Sequence, residues 1–195
     1  MIALSHNATD SVRLLLEHHA EVMSPMGQPV QHGSTPVFLA TLSGNEKSLQ
    51  ALQHRGAVTR STILAGGFFP VTPLSVAVEQ RDLAMVKALI RSGVPVDDVA
   101  SPNDGLTALD FSVFANDTKM AALLLAAGAD VNHVDRLGYT PLLWAANVDF
   151  GDSAMLNLLL RAGANRKFKQ RDNLTALELA LKYKYTRHQK VLTQN

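Results

Sequence analysis

A six-residue pattern returns five times along the chain at nearly one period, and this recurrence limits the fold more than any other feature. Thr35-Pro36-Val37-Phe38-Leu39-Ala40, Thr72-Pro73-Leu74-Ser75-Val76-Ala77, Thr107-Ala108-Leu109-Asp110-Phe111-Ser112, Thr140-Pro141-Leu142-Leu143-Trp144-Ala145 and Thr175-Ala176-Leu177-Glu178-Leu179-Ala180 align at spacings of 37, 35, 33 and 35 residues. Self-similarity at such a period is the mark of stacked supersecondary units, each too small to bury its own apolar face. Downstream of the first four copies comes an apolar helical pattern closed by glycine: Arg55-Gly56-Ala57, Ser92-Gly93-Val94, Ala127-Gly128-Ala129 and Ala162-Gly163-Ala164. Glycine there suits a helix C-terminus that turns through the left-handed region. Thr suits an N-cap, and Pro the first helical position, where its missing N–H is not needed. Each unit therefore reads as turn, short helix, turn, longer helix, glycine stop.

The fullest copy is Asp135-Arg136-Leu137-Gly138-Tyr139-Thr140-Pro141-Leu142-Leu143-Trp144-Ala145-Ala146, followed by Leu158-Leu159-Leu160-Arg161-Ala162-Gly163-Ala164-Asn165. It resembles the ankyrin-repeat family pattern Asp-x-x-Gly-x-Thr-Pro-Leu-His-x-Ala-Ala with Leu-Leu-x-x-Gly-Ala-Asp-x-Asn. The resemblance covers essentially the whole chain. It implies an all-α ankyrin-repeat solenoid of stacked helix-turn-helix repeats with projecting turn fingers. The expected division is a single domain over 1–195: a partial first repeat at 1–23, repeats at 30–59, 67–97, 102–132 and 135–167, and a C-terminal capping repeat at 170–195.

Several departures from that pattern carry their own expectations. The family's His after Pro-Leu, which in that resemblance ties neighbouring loops, is replaced by Phe38, Ser75, Asp110, Leu143 and Glu178, so the lattice must be weaker or built differently. The fourth repeat carries extra residues around Asn147-Val148-Asp149-Phe150-Gly151-Asp152, so its inter-helix turn should bulge. Arg81 stands where a turn glycine is usual; Asn116 stands there more comfortably, since Asn tolerates the left-handed region. The first repeat lacks its Thr-Pro-Leu start, which suggests a fragment of a longer protein or a half-repeat used as a cap. His188 and Gln189 occupy aliphatic positions of the last helix, so a polar, solubilising outer face is expected there.

Composition excludes several classes of function. The longest apolar run, Met120 to Ala129, is far short of the roughly 20 residues of a membrane span, and Met1-Ile2-Ala3-Leu4-Ser5-His6 does not open a signal peptide. No membrane partner is expected, and the expected compartment is the cytoplasm. The chain has 0 cysteines, which removes disulfides, thiol catalysis and cysteine zinc sites. The net charge of +1 conceals an asymmetry: residues 161–195 hold nine Lys or Arg against Asp172 and Glu178, or +7, leaving −6 for residues 1–160.

Candidate binding residues follow from the resemblance, which implies that the turns and short helices together form a concave face. Phe68 and Phe69 fall in the turn before the second Thr-Pro. Fully burying one Phe is worth about 1.5–3 kcal/mol, so the pair either docks a partner or folds over its own extended finger. Equivalent turn positions elsewhere include Gln31, His32, Asn103, Asp104, Arg136, Leu137, Arg171 and Asp172, with Tyr139 just before Thr140 and Phe114 on the short helix. Aromatic and Arg side chains are enriched at interface centres, which makes Phe68, Phe69, Phe114, Arg136, Leu137 and Tyr139 the candidate partner-binding set. Trp144 and Phe111 occupy positions usually held by aliphatic residues and are expected in the core.

Chemistry is not expected in this chain. Glu17-His18-His19-Ala20-Glu21 holds metal-capable groups, but adjacent histidines lie about 100° apart on a helix, and no facing His pair at helical spacing exists. His32, His54, His133 and His188 are scattered over loops and helix ends. Neither a phosphate-binding glycine loop nor a Gly-x-Ser-x-Gly occurs, and the aspartates at repeat junctions suit turns closed through their own backbone. The reading is a non-catalytic protein-interaction module with no cofactor and no metal, monomeric unless the open first repeat dimerises. The alternatives are a spacer or regulatory arm of a larger, possibly catalytic protein, and a nucleic-acid binder using the basic end, where Phe168, Tyr183 and Tyr185 are interleaved with Lys and Arg.

Overall fold

The structure, a computed structural model, describes residues 36–42, 44–54, 63–65, 69–101 and 103–194. The partial first repeat, the Glu17–Glu21 cluster, Gln31, His32, Gly56 and Phe68 lie outside the described residues, and of Phe69 only the backbone is described. The chain forms two compact units, Met1–Ala100 and Ser101–Asn195.

In the first unit, helices α1 (Pro36–Leu42) and α2 (Glu46–His54) precede strands β1 (Ile63–Ala65) and β2 (Phe69–Val71), followed by α3 (Pro73–Glu79) and α4 (Leu83–Arg91). The strands pair antiparallel, with Ile63 opposite Val71, Leu64 opposite Pro70 and Ala65 opposite Phe69. This hairpin is the finger before the second Thr-Pro; the other described elements are helices. Short helix α1 packs on short helix α3, and α2 on α4. Phe38 and Val76 meet in the core, which also buries Leu49, Leu52, Leu74, Met85 and Leu89.

The second unit repeats the scheme three times, with α5 (Ala108–Phe114), α6 (Thr118–Ala126), α7 (Pro141–Asn147), α8 (Ala154–Arg161), α9 (Ala176–Lys182) and α10 (Thr186–Thr193). The short helices α5, α7 and α9 stack in one layer, and α6, α8 and α10 in the other. Leu109, Val113, Met120, Leu124, Leu142, Leu156, Leu159 and Leu179 are buried between them.

Short-range chemistry explains why these helices are so short and so regular. At the N-terminus of α3, Thr72 and Ser75 cap one another, each backbone N–H donating to the other's hydroxyl at 3.1 Å. Glu178 caps Thr175 in the same way, accepting from its N–H and hydroxyl at 2.7 Å. The buried Thr72–Ser75 cap is worth about 1 kcal/mol. Three of the residues that replace the family's His, Ser75, Asp110 and Glu178, thus work on the start of their own helix rather than between repeats. At the far ends, Gly93, Gly128 and Gly163 have φ of 81°, 93° and 94°. Each closes a double hydrogen-bonded turn, as in Gly128 N–H to Leu125 O at 3.0 Å and Ala129 N–H to Leu124 O at 3.1 Å. Arg81, Asn116 and Lys184 hold the same left-handed conformation after the short helices, at φ of 56°, 49° and 61°.

After α7 this turn is replaced. Val148 is extended, and the left-handed residue is Gly151 at φ 83°. Asp149 and Asp152 accept from the N–H groups of Gly151 and Ala154, each at 2.9 Å, and so close the longer turn.

The last helix differs from expectation. His188 is not on a polar outer face: it is 1% exposed, edge-on to Tyr185 at 5.3 Å, with Nε2 3.2 Å from the carbonyl oxygen of Asp152. Gln189 donates inward to Ala180 O at 3.1 Å. The outer face of the helix is polar all the same, formed by Thr186, Arg187, Lys190 and Thr193, while Leu181 at 53% and Tyr183 at 43% are exposed just before it.

Candidate functional site

The finger before α7 is organised by one carboxylate. Asp135 is buried, and its Oδ1 accepts from the backbone N–H groups of Leu137 at 2.9 Å and Tyr139 at 2.8 Å. Gly138, at φ 84°, lets the chain reverse so that its own N–H reaches Asp135 O at 3.0 Å. The sequence anticipates an aspartate closing this turn, but the second oxygen does more. Oδ2 accepts from the indole N–H of Trp144 at 2.8 Å, across to the neighbouring short helix.

Trp144 is the residue that sequence reasoning misplaces. It is half-buried rather than in the core, as is Phe111. Tyr139 stacks on its ring at 4.4 Å between centroids, and Phe114 meets it edge-on at 4.9 Å. Two such aromatic contacts are worth about 0.5–1.5 kcal/mol each beyond the area they bury. A signal for this placement exists in the sequence. Phe111 and Phe114 are three apart and share a helix face, so an outward Phe114 takes Phe111 with it, and Trp144 is the aligned residue of the next repeat.

Of the predicted set, Phe114 and Tyr139 are thus brought together through Trp144. Arg136 and Leu137 sit at the tip of the same finger and are exposed, Leu137 by 47%. Phe69 belongs to the hairpin of the first unit.

Neighbouring fingers in the second unit are tied by backbone and by draped arginines. Arg136 N–H donates to Asp104 O at 2.8 Å, and His133 Nε2 lies 2.7 Å from Gly105 O, to which it donates. The Arg136 side chain lies over Gly105, where a Cβ would stand 3.0 Å from Arg136 Cγ and from its backbone nitrogen. Arg171 lies over Gly138 in the same manner and donates to Arg136 O. Further along, Asn132 clamps the following repeat, accepting from Asn165 N–H at 2.7 Å and donating to Gly163 O at 3.3 Å.

The electrostatics of this region follow from burial. Asp110 accepts from Thr107 N–H and hydroxyl at 2.8 Å through Oδ2, while Oδ1 is buried with no partner among the described residues. Desolvation pushes its carboxyl above the ordinary range; the Thr107 bonds and His133 pull it down, and Asp135 adds to the rise. Burial also raises the Tyr139 hydroxyl, helped by Tyr183, Asp172 and Asp135. Glu178, by contrast, is held low by its bonds from Thr175. Among the described residues no group of three or more His, Cys, Asp or Glu side chains is placed to hold a metal, and no helix is long and apolar enough to cross a membrane.

Paired helices opened by a threonine cap, closed by glycine and linked by stacked fingers define a helical repeat protein. A family model for ankyrin repeats in three copies matches residues 59–135, and one for ankyrin repeats in many copies matches 115–160. The chain belongs to the ankyrin-repeat family, and its fold class is the all-α ankyrin solenoid. It is similar to an ankyrin repeat domain from Acinetobacter baumannii, with a TM-score of 0.79 and 26% identity over 98% of this chain and 94% of that one. It is 30% identical over 138 residues to the Danio rerio protein ZDHHC13, which carries a palmitoyltransferase name, and 30% over 159 residues to human SH3 and multiple ankyrin repeat domains protein 2. Those matches take in 71% and 77% of this chain but only 20% and 8% of the two relatives. Ankyrin repeats are protein–protein interaction modules, and the fold generally carries no catalytic chemistry of its own.

Proposed function

We propose that this chain is a non-catalytic module that holds another protein against the fingers and short helices of residues 101–195. Phe114, Tyr139 and Trp144 would form the floor and Arg136 and Leu137 the rim. The observation that carries the reading is the aromatic trio itself. Phe114 is 36% exposed and Trp144 half-buried, in a family whose cores are aliphatic, and rings left partly open to water favour a partner that removes them from it. Phe68 and Phe69, just before the second Thr-Pro, stay in the proposal as a second contact. A cytoplasmic setting fits this reading.

Affinity capture from the source cell tests it. The native chain should retain a protein that a Phe114→Ser, Leu137→Ser double variant loses, with far-UV circular dichroism unchanged; equal retention by both would remove the assignment. A second reading, a regulatory arm of a larger protein, is favoured by the relatives, in which the matched stretch is 20% and 8% of the length.

A further inference from the structure

Charge around the aromatic trio narrows the kind of partner. Arg136 and Arg171 lie exposed over successive fingers, and the Lys182 ammonium sits 5.5 Å above the Tyr183 ring. Lys182 ends α9, the short helix stacked on that of Trp144, and Tyr183 follows it directly. None of these three cations makes an ion pair among the described residues, unlike Arg91, which pairs with Glu46 in the other unit. The acids on this side are engaged by hydrogen bonds rather than by these cations, Asp104 with the Ser101 hydroxyl at 2.8 Å and Glu178 with Thr175 at 2.7 Å. Asp135 is buried with both oxygens engaged, and Asp172 accepts from Gln170 Nε2 at 3.3 Å.

Two arginines of the basic end behave differently. Arg166 donates to the carbonyls of Val191 and Leu192 at 3.5 and 3.1 Å, and Arg187 donates to Gly151 O. Those two arginines hold the terminal helix in place; among the exposed cations, Arg136 and Arg171 lie on the fingers and Lys182 at the end of the short helix stacked on that of Trp144.

We infer that the occupant of this surface is an acidic segment of a partner protein, with carboxylates facing Arg136, Arg171 and Lys182 and an apolar side chain against Phe114 and Trp144. This inference rests on the protein-interaction reading and specifies its partner. A cationic aromatic surface would also suit single-stranded nucleic acid, but that binding needs open ring faces on which bases stack. Here Tyr139 covers a face of Trp144, and Tyr183 is stacked with Tyr185 at 5.8 Å beneath Lys182. The rings are already paired with one another, and what they leave open suits aliphatic side chains.

The chain has 1 tryptophan, so the indole N–H resonance of Trp144 reports on this surface alone. The experiment is a titration of the full chain, followed at that resonance up to millimolar ligand, with short peptides alternating Leu with Glu, Gln or Lys, and with a uridine oligonucleotide. The Leu–Glu peptide should bind about tenfold tighter than Leu–Lys at low salt and lose most of that preference at high salt. Arg136→Gln with Arg171→Gln keeps the stems over Gly105 and Gly138, and should bring the peptides level while leaving circular dichroism unchanged. Equal affinity of the native chain for all three peptides overturns the acidic partner but leaves the interaction reading standing. A silent indole with every peptide overturns both. Tighter binding of the oligonucleotide than of any peptide replaces this inference with a nucleic-acid partner.

Discussion

The indole N–H of Trp144 and the carboxylate of Asp135 are 2.8 Å apart, and that single bond ties the finger to the short helix that follows it. Because the other oxygen of Asp135 holds the Leu137 and Tyr139 N–H groups, the same side chain sets both the shape of the finger and the tilt of the aromatic floor. A hydrogen bond to a charged group contributes about 1.5–3 kcal/mol, and stranding one member costs more than removing both. Asp135→Ala should therefore destabilise the chain by about 2–3 kcal/mol and Trp144→Phe by about 1–2 kcal/mol. The double variant should fall short of the sum by about 1 kcal/mol or more. Urea denaturation followed by circular dichroism measures all three, and simple additivity would mean that the bond is energetically idle.

Lys184 has φ 61° and its side chain is exposed. The left-handed conformation costs a residue with a Cβ about 1–2 kcal/mol, against which glycine loses up to about 1 kcal/mol in unfolded-chain entropy. Lys184→Gly should thus be neutral to stabilising, by up to about 1 kcal/mol. Gly128→Ala runs the other way: its φ is 93° and a Cβ there would meet nothing within 4 Å, so the cost of about 1–2 kcal/mol is backbone strain alone. Melting temperatures of the two variants check the opposite signs; a stabilised Gly128→Ala would contradict the strain argument.

The repeat made the helices, their caps and their stops legible, because each depends on neighbours a few residues away: Thr72 with Ser75, Gly128 with Leu125, the long turn with Gly151. The positions of Trp144 and His188 were not legible, because they are decided by partners outside the local pattern. Trp144 aligns with aliphatic core residues, yet an aromatic with a polar edge goes where that edge finds an acceptor, here Asp135. The polarity of His188 alone points to solvent, but the long turn of the preceding repeat brings Asp152 O within 3.2 Å of it. Charge on the basic end was visible only as a sum. Which arginines are consumed by carbonyls and which remain open depends on three-dimensional contacts.

The buried carboxyl of Asp110 gives stability a definite slope with pH. Its folded pKa is raised, chiefly by desolvation, so between the ordinary carboxylate value and the raised one the folded chain binds more protons than the unfolded chain. Stability from this group is therefore greatest at low pH and declines as pH climbs through that window. Asp110→Asn should remove the decline while keeping an acceptor for Thr107 N–H. Glu178, held low by Thr175, acts in the opposite sense: its contribution is present above the ordinary carboxylate value and is lost as pH falls through its lowered one. Denaturation midpoints of the native chain and the Asn variant across the acid range should diverge toward neutral pH in favour of the variant. Parallel curves would show that Asp110 is solvated.

His188 occupies an apolar site with one nitrogen unmatched. Nε2 has Asp152 O at 3.2 Å, but Nδ1 is buried with no partner among the described residues. An orphaned buried polar atom costs about 1–3 kcal/mol, whereas a single net hydrogen bond returns only about 0.5–1.5 kcal/mol. Leucine is close to histidine in volume and carries no polar atom, and the exposed Asp152 can give its carbonyl to water. His188→Leu should accordingly stabilise the chain by about 1 kcal/mol, while His188→Ala should destabilise it by about 2 kcal/mol or more through the cavity left beside Tyr185 and Leu192. The Leu variant separates the two contributions, because it keeps the packing and discards only the polarity. If its denaturation midpoint falls below that of the native chain, the bond to Asp152 outweighs the stranded nitrogen, and the long turn after α7 depends on His188 to hold its shape.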